Sequence, residues 1–200
     1  MSDHSRIGAK GARTRQRLID AMLSLVSQGG MPGCVSVRSI ARRAGVTEAV
    51  LYRYFPNKEA MFHEVWESIQ SPMMQAKAAL VADDDQDVQD VLHQWIRVTY
   101  EQFDADPAAF FYAMLSDATA LWRESPDHNK QHNAQTQLFT GWIERHLNQS
   151  MIHLTPDRAC DYFIALLMAV PRDVRSGVLP APATKYVDQT YQAVARLLGL

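Results

Sequence analysis

The stretch from Ser36 to Lys58 constrains the fold more than any other part of the chain, because it predicts two short helices joined by a tight glycine turn. Ser36 can cap the first helix, since its hydroxyl can accept a hydrogen bond from a backbone N–H of the first turn. Gly45 stands where a left-handed backbone ends a helix at low steric cost. Between them, apolar residues recur at helical spacing and should form one buried face. They are Val37, Ile40, Ala41 and Ala44.

The second helix of this pair begins after Thr47, whose side chain can cap it. Its inward side chains are Val50, Leu51 and Phe55. Its outward side chains are Glu48, Ala49, Tyr52 and Arg53. Two helices that cross at a glycine turn in this way form a helix-turn-helix, whose second helix is shaped for the major groove of DNA. On geometry alone, the alternative is a helical hairpin that only contributes to a core.

Charge favours the DNA-binding interpretation. Residues 1–62 carry ten Lys and Arg against four Asp and Glu, whereas residues 63–200 carry ten against eighteen. The formal net charge of −2 is therefore the sum of a basic N-terminal part, called the head here, and an acidic remainder, called the body. A basic head of this kind is the electrostatic signature of a nucleic-acid-binding protein.

Residues 14–62 resemble the DNA-binding domain of the TetR family of bacterial transcription regulators. Three segments carry the resemblance: TRQRLIDAMLSLVSQGG as the first helix, SVRSIARRAGVT as the turn, and LYRYFPNKEAM after it. The loop MPGCV, with Pro32 and Cys34, departs from the pattern because it is longer than usual. The resemblance covers about a quarter of the chain. The other three quarters show no recognisable sequence signature beyond a length that suits a helical body.

The resemblance implies which side chains of the head contact DNA. Arg38 or Arg53 could pair with a guanine edge, and Glu48 could accept from a cytosine amino group. Tyr54 and Lys58 match positions that contact phosphates, and such contacts set affinity more than sequence preference. The full predicted set is Arg38, Thr47, Glu48, Ala49, Tyr52, Arg53, Tyr54 and Lys58.

The remaining sequence predicts an all-α protein of about nine helices, with an N-terminal three-helix helix-turn-helix domain and a C-terminal helical bundle. We place the arm and DNA-binding domain at residues 1–57 and a ligand-binding and dimerisation domain at residues 58–200. A capping residue before proline marks helix starts at Pro72, Pro107, Pro126 and Pro156. Because proline interrupts a helix, we expect helix four to kink or break at Pro72 and a loop to follow Val170.

The predicted elements after an arm at residues 1–13 follow in chain order. Helix one covers Thr14 to Gln28, helices two and three form the motif, and helix four starts after Asn57. The later helices are expected at Asp87 to Phe103, Pro107 to about Thr119, Pro126 to about Gln149, Pro156 to about Val170, and Thr184 to Leu198.

Two C-terminal helices predict a homodimer. The segment from Tyr162 to Val170 is apolar all round, so both of its faces need cover. The last helix offers a second apolar stripe, and two-fold dimers are the commonest assembly. The predicted interface residues are Phe163, Leu167, Val170, Tyr191, Val194 and Leu198. Two core helices of a monomer are the alternative.

The middle helices carry more large aromatic side chains than packing requires, and Trp122 is among them. In TetR-like proteins the corresponding helices enclose a small-molecule pocket, and aromatic side chains with a few polar groups are a usual lining. The predicted ligand-binding residues are Trp95, Thr99, Phe103, Phe110, Met114, Phe139 and Trp142. His93 and His146 are further polar candidates. A body that binds proteins and no ligand is the alternative.

The sequence gives no positive signal for catalysis. His128 and His132 have i, i+4 spacing, but no third metal ligand accompanies them, so we expect neither a metal site nor a cofactor. No targeting segment or membrane span is visible, and the protein is expected in the cytoplasm. The expectation is a DNA-binding regulator, most simply a repressor that a small hydrophobic or aromatic effector releases from a palindromic double-stranded operator.

Overall fold

The computed structural model describes residues 8–27, 35–83, 85–117, 137–146 and 154–200, and the regular structure in these ranges is helical. This confirms the all-α class. In chain order the elements are α1 (Ala9–Ser27), α2 (Val37–Ala44), α3 (Glu48–Tyr52), α4 (Lys58–Leu80), α5 (Val88–Ala105), α6 (Pro107–Asp117), α7 (137–146), α8 (Pro156–Arg175), a 3-10 turn (Ala183–Tyr186) and α9 (Val187–Leu198).

Side-chain caps fix the helix starts that the sequence predicts. The Ser36 hydroxyl accepts from the N–H of Ser39 at 3.1 Å, and the Thr47 hydroxyl accepts from that of Val50 at 3.4 Å. Asn57 accepts from the N–H of Ala60 at 2.6 Å. Each cap satisfies a backbone donor that the helix itself leaves unpaired. The helix starts of the head therefore follow from local sequence.

The head, α1 to α3, packs around an apolar core. Leu18 and Met22 from α1 meet Ile40 from α2, and Leu51 and Phe55 close the core from the α3 side; all five side chains are fully buried. Burying a side chain of this size contributes about 1.5–3 kcal/mol. The same cluster continues into other helices, where it includes Phe62, Val65 and Trp66 of α4 and Tyr112 and Ala113 of α6.

The body is built around α5, which contacts α4, α6 and α9. One face of α5 is joined to the C-terminal segment by polar contacts. The hydroxyl groups of Tyr100 and Thr190 are hydrogen-bonded at 2.8 Å, and Asp104 accepts from the backbone N–H of Ala183 and of Thr184, at 2.6 and 3.0 Å. These contacts fix α9 and the 3-10 turn against α5.

The structure contradicts the predicted start of helix one, the break at Pro72 and the loop after Val170, while a kink at Pro72 stays a prediction. α1 begins at Ala9, so residues 9–13 belong to a helix and not to an arm. α4 runs unbroken through Pro72, whose ring is exposed, while Gln70 and Met73 on either side are buried. Because the proline faces solvent and its neighbours pack inward, tertiary packing maintains the helix across the missing N–H.

α8 likewise continues through Pro171 to Arg175, where the sequence predicts a loop. Pro171 is buried, and Arg175 places its guanidinium 4.3 Å from the centre of the Phe111 ring. Packing against α6 thus lengthens α8 beyond the proline that local rules treat as its end.

Several predictions fall outside the described residues. They concern Arg6 of the arm, the loop with Cys34, Trp122, the pair His128 and His132, and the N-terminal half of predicted helix seven. The predicted domain boundary at residue 57 stays a prediction. Among the described helices, none is long and apolar enough to cross a membrane.

Candidate nucleic-acid interface and the interior of the body

The outer surface of α3 carries the side chains that the sequence assigns to DNA. Glu48, Ala49, Tyr52 and Arg53 are all exposed, whereas Leu51, on the opposite side, is fully buried. Tyr52 is 49% exposed. The helix therefore has an exposed face with polar and aromatic side chains and a buried apolar face.

The turn between α2 and α3 is held in one geometry. Gly45 has a φ of 66°, a left-handed conformation that glycine adopts without steric cost. A guanidinium nitrogen of Arg17 on α1 donates to the carbonyl oxygen of Ala44, which is one of the acceptors that the end of α2 leaves unpaired. A Cβ at Gly45 would lie 3.0 Å from that nitrogen. The turn thus positions α3 relative to α1 and α2.

Basic side chains of the head divide into structural and surface groups. Arg15 pairs with Glu64 of α4 and lies 5.0 Å from the centre of the Phe55 ring. Arg38 and Arg53 are exposed, and within the described residues no hydrogen bond or ion pair involves their side chains. Their charges therefore face solvent, where phosphate or base edges can reach them.

Tyr54 and Lys58 stand closer to the core than the other predicted contacts. Both are half-buried, and the ammonium group of Lys58 lies 5.2 Å from the centre of the Phe62 ring. Thr47 is exposed, and its hydroxyl accepts from Val50. Six of the eight predicted residues are thus exposed and two are half-buried, and their contact with DNA stays a prediction.

Helices α4 and α6 join the head to the body. The Tyr112 hydroxyl donates to the carbonyl oxygen of Phe62 at 2.7 Å, and the Trp66 indole donates to the carbonyl oxygen of Ala113 at 3.2 Å. All four residues are buried in the head cluster. Tyr112 was not among the predicted site residues. The run Phe110 to Ala113, apolar on every side of the helix, was the signal that two cores meet there.

The predicted ligand-binding residues lie in the body core. Trp95, Phe139 and Phe163 form one aromatic group, in which the Phe139 and Phe163 rings stack at 4.2 Å and Trp95 meets Phe139 edge-on at 5.2 Å. Phe103 and Phe110 form a second group with ring centres 5.5 Å apart. The Thr99 hydroxyl donates to the carbonyl oxygen of Trp95 at 2.9 Å. Trp142 is buried and Met114 half-buried beside them.

The other two polar candidates occupy different surroundings. His93 Nε2 lies 2.7 Å from a carboxylate oxygen of Asp188 on α9, and its ring meets that of Tyr191 edge-on. His146 lies beside Trp142. His93 therefore connects α5 to α9.

Four predicted interface residues need correction. Phe163, Leu167, Val194 and Leu198 are at most 5% exposed in a single chain, because they pack into its own core. A side chain already covered in this way has no surface left for a second copy. Val170 and Tyr191 are half-buried, and the more exposed apolar side chains of α8 are Tyr162 and Ile164, at 50% and 42%. A dimer through α8 and α9 stays a prediction.

The structure also reveals buried polar residues on α4 that sequence reasoning missed. Gln70 and Lys77 are 2% and 3% exposed. Both follow the helical spacing of the buried stripe that starts at Met61, so periodicity could have placed them inside. Burial lowers the pKa of Lys77 to about 7, because the charged form loses its hydration.

A groove of about 380 Å³ lies on the surface where α4, α5 and α6 meet. Its lining includes Met73 of α4, Val98 of α5 and Ala109 of α6, and is mostly apolar. The described residues contain no cluster of three or more metal-ligating side chains. Cys160 is a free thiol in the body core, and burial raises its pKa to about 11, which makes it a poor nucleophile.

Comparison with known proteins agrees with this geometry. Residues 18–65 match the family model described as bacterial regulatory proteins, tetR family. The chain is similar to the HTH-type transcriptional regulator AcrR of Shigella flexneri, with 41% identity over 58 residues, and to the HTH-type transcriptional repressor KstR of Mycolicibacterium smegmatis, with 44% identity over 55 residues. These matches cover 29% and 27% of this chain and 26% of each relative.

The similarity of fold extends over most of the chain. The transcriptional regulator FadR from Bacillus subtilis, solved in complex with stearoyl-CoA, superposes with a TM-score of 0.65. It covers 92% of this chain and 98% of that one at 15% sequence identity. The matching arrangement of helices therefore includes the body, where sequence similarity is low.

Proposed function

Because its N-terminal domain belongs to the tetR family of bacterial regulatory proteins, we propose that this protein is a DNA-binding transcriptional repressor. The observation that carries the proposal is the exposed surface of α3 on a basic, tightly packed head. Tyr52 and Arg53 project from it, and Arg38 supplies charge from α2. Its site of action is chromosomal DNA in the cytoplasm.

The proposed operator is a palindrome bound by a homodimer. Two heads related by two-fold symmetry contact half-sites about one helical turn apart or slightly more. The exposed side chains Tyr162 and Ile164 leave apolar surface on α8 that a second copy can cover. The two protomers then set the distance between the two α3 helices.

A small-molecule effector in the body is proposed to release the operator. α4 and α6 support this, because both pack in the head core and also border the body. A ligand that binds differently in the two states shifts the equilibrium between them. The FadR structure with stearoyl-CoA supports a ligand in a body of this fold. The alternative keeps the same head and gives the body a protein partner and no ligand.

The test combines operator selection with a measure of stoichiometry. Duplexes are selected from a random pool at low ionic strength, footprinted with the purified protein, and the mass of the complex is measured by sedimentation equilibrium. We expect a palindromic footprint, two chains per duplex, and affinity that decreases steeply with salt. A protein that retains no duplex from the pool, or protects a lone asymmetric half-site, contradicts the proposal.

A further inference from the structure

The inner face of α4 carries two polar side chains that the fold buries almost completely, Gln70 and Lys77, at 2% and 3% exposed. Both the nitrogen and the oxygen of the Gln70 amide are buried and have no hydrogen bond. Lys77 has no hydrogen-bond acceptor and no carboxylate within ion-pair distance in the described part of the chain. Buried polar groups are normally satisfied, because each unsatisfied one costs about 1–3 kcal/mol. Two on one helix face point to a function that uses them.

Lys77 faces the part of α5 that carries predicted ligand-binding side chains, and the turn of α4 that holds Gln70 also contacts α5. The Gln102 amide donates to the carbonyl oxygen of Ile69 at 3.0 Å, and the Lys77 ammonium lies 5.3 Å from the centre of the Trp95 ring. α4 and α5 are therefore antiparallel, with Ile69 near Gln102 and Lys77 near Trp95. The segment of α5 between these two contacts includes Thr99.

Chemistry at the two positions differs. The Lys77 ammonium is a cation that only an aromatic face compensates, so a bound carboxylate would supply the strong partner it lacks. The Gln70 amide can donate and accept, which suits a hydroxyl or carbonyl group. Seven residues of helix separate them, which corresponds to about 10 Å along the axis. Buried aromatic side chains of the body core, among them Trp95 and Phe103, belong to the same region of α5.

We propose that the body recognises an amphipathic carboxylic acid whose anionic head binds Lys77 and whose hydroxyl or carbonyl group, about 10 Å away, binds Gln70. The apolar chain between the two groups packs against Trp95 and its aromatic neighbours. The inference rests on the proposed function in one respect, namely that the interior of the body is a ligand site. It adds the chemical class of the ligand and the two residues that select it.

The test measures binding of three probes of equal chain length to the DNA-free protein by isothermal titration calorimetry. The probes are omega-hydroxydecanoate, decanoate and decanediol, so that each end group is varied separately. We expect omega-hydroxydecanoate to bind most tightly, and both carboxylates to bind about tenfold or more tightly than the diol. In Lys77→Met the preference for carboxylate is lost, and in Gln70→Leu the preference for the hydroxylated acid over decanoate is lost.

Arg97→Met is the matched control, because it removes a positive charge from the exposed face of α5, two positions from Trp95. It should keep both preferences. Circular dichroism of each variant checks that the fold is retained, and a single variant that unfolds is replaced by Lys77→Gln or Gln70→Met. The proposal is overturned if the wild-type protein binds none of the probes, shows no preference for carboxylate, or keeps that preference in Lys77→Met.

Failure of the proposed ligand class can be distinguished from failure of the proposed DNA-binding function. Duplex binding is measured separately on the same wild-type preparation. Carboxylate binding without duplex binding supports the ligand class and contradicts the repressor. Duplex binding without carboxylate binding supports the repressor and overturns the ligand class.

Discussion

The head and the body are both helical, but they treat polar side chains in opposite ways. Within the described residues, the head core contains only apolar side chains, and its charges lie on the surface. The five buried polar residues in the described ranges belong to the body, and they are Gln70, Lys77, Thr99, Thr140 and Thr190. A core that only supports a surface is best made apolar, whereas buried polar groups cost stability that function can justify. Polar side chains therefore lie on the surface of the head, whereas the body also has polar side chains in its interior.

Truncating the head core should produce the largest effect. Leu51→Ala removes a fully buried side chain from the base of α3, and such truncations cost about 2–5 kcal/mol. We expect duplex binding to disappear at a temperature at which most of the helical signal of the body remains. Circular dichroism and duplex binding measured along one thermal ramp check this. A single transition that removes both signals together would show that the two cores do not unfold separately.

The next effect concerns the surface of the head. Arg38→Ala and Tyr52→Ala should each weaken operator binding by about 1–3 kcal/mol, because both side chains are exposed and support nothing in the core. Fluorescence anisotropy with the selected duplex measures the loss. Arg42→Ala, an exposed change on α2 outside the predicted contact set, is the control. Equal losses in all three variants would indicate general charge attraction with no specific surface.

Removing the buried charge should make the body more stable. Lys77→Met keeps the length of the side chain and abolishes a charge that burial disfavours, so the free energy of unfolding at pH 7 should rise by about 1–3 kcal/mol. Urea denaturation of both proteins without ligand measures the difference. A loss of stability in the variant would show that the lysine has a compensating partner.

The same residue predicts a dependence on pH. The pKa of Lys77 is about 7 in the folded protein and near its ordinary value of 10.5 when unfolded. Above pH 7 the unfolded chain therefore binds more protons, and stability rises with pH. From pH 7 to 9 the free energy of unfolding of the wild-type protein should rise relative to that of Lys77→Met by at most about 1.4 kcal/mol per pH unit. Above pH 9 the raised pKa of Cys160 acts in the opposite direction, so the comparison ends there. Urea denaturation of both proteins at each pH measures the difference. A difference in free energy of unfolding that does not change with pH would contradict the prediction.

The smallest effect concerns a helix cap of the head. Ser36→Ala removes the acceptor for the N–H of Ser39 and should cost about 1 kcal/mol of stability. It should weaken operator binding little, because the apolar core still positions α2. Chemical denaturation and anisotropy give the two values. An operator affinity that decreases as much as in Tyr52→Ala would mean that the cap, and not the core, fixes the surface.

The sequence by itself determined the head. Its caps, glycine turn and apolar spacing act within a few residues of one another, and such local signals specify both the helices and which side of α3 is exposed. Tertiary structure alone decided that α4 and α8 continue through Pro72 and Pro171, because packing on either side of each proline outweighs one lost hydrogen bond. It also decided that Phe163 and Val194 face the chain's own core, and that Gln70 and Lys77 are buried. Those outcomes depend on which helices pack against each other. That packing is determined by residues far apart in the chain, so no local sequence pattern predicts it.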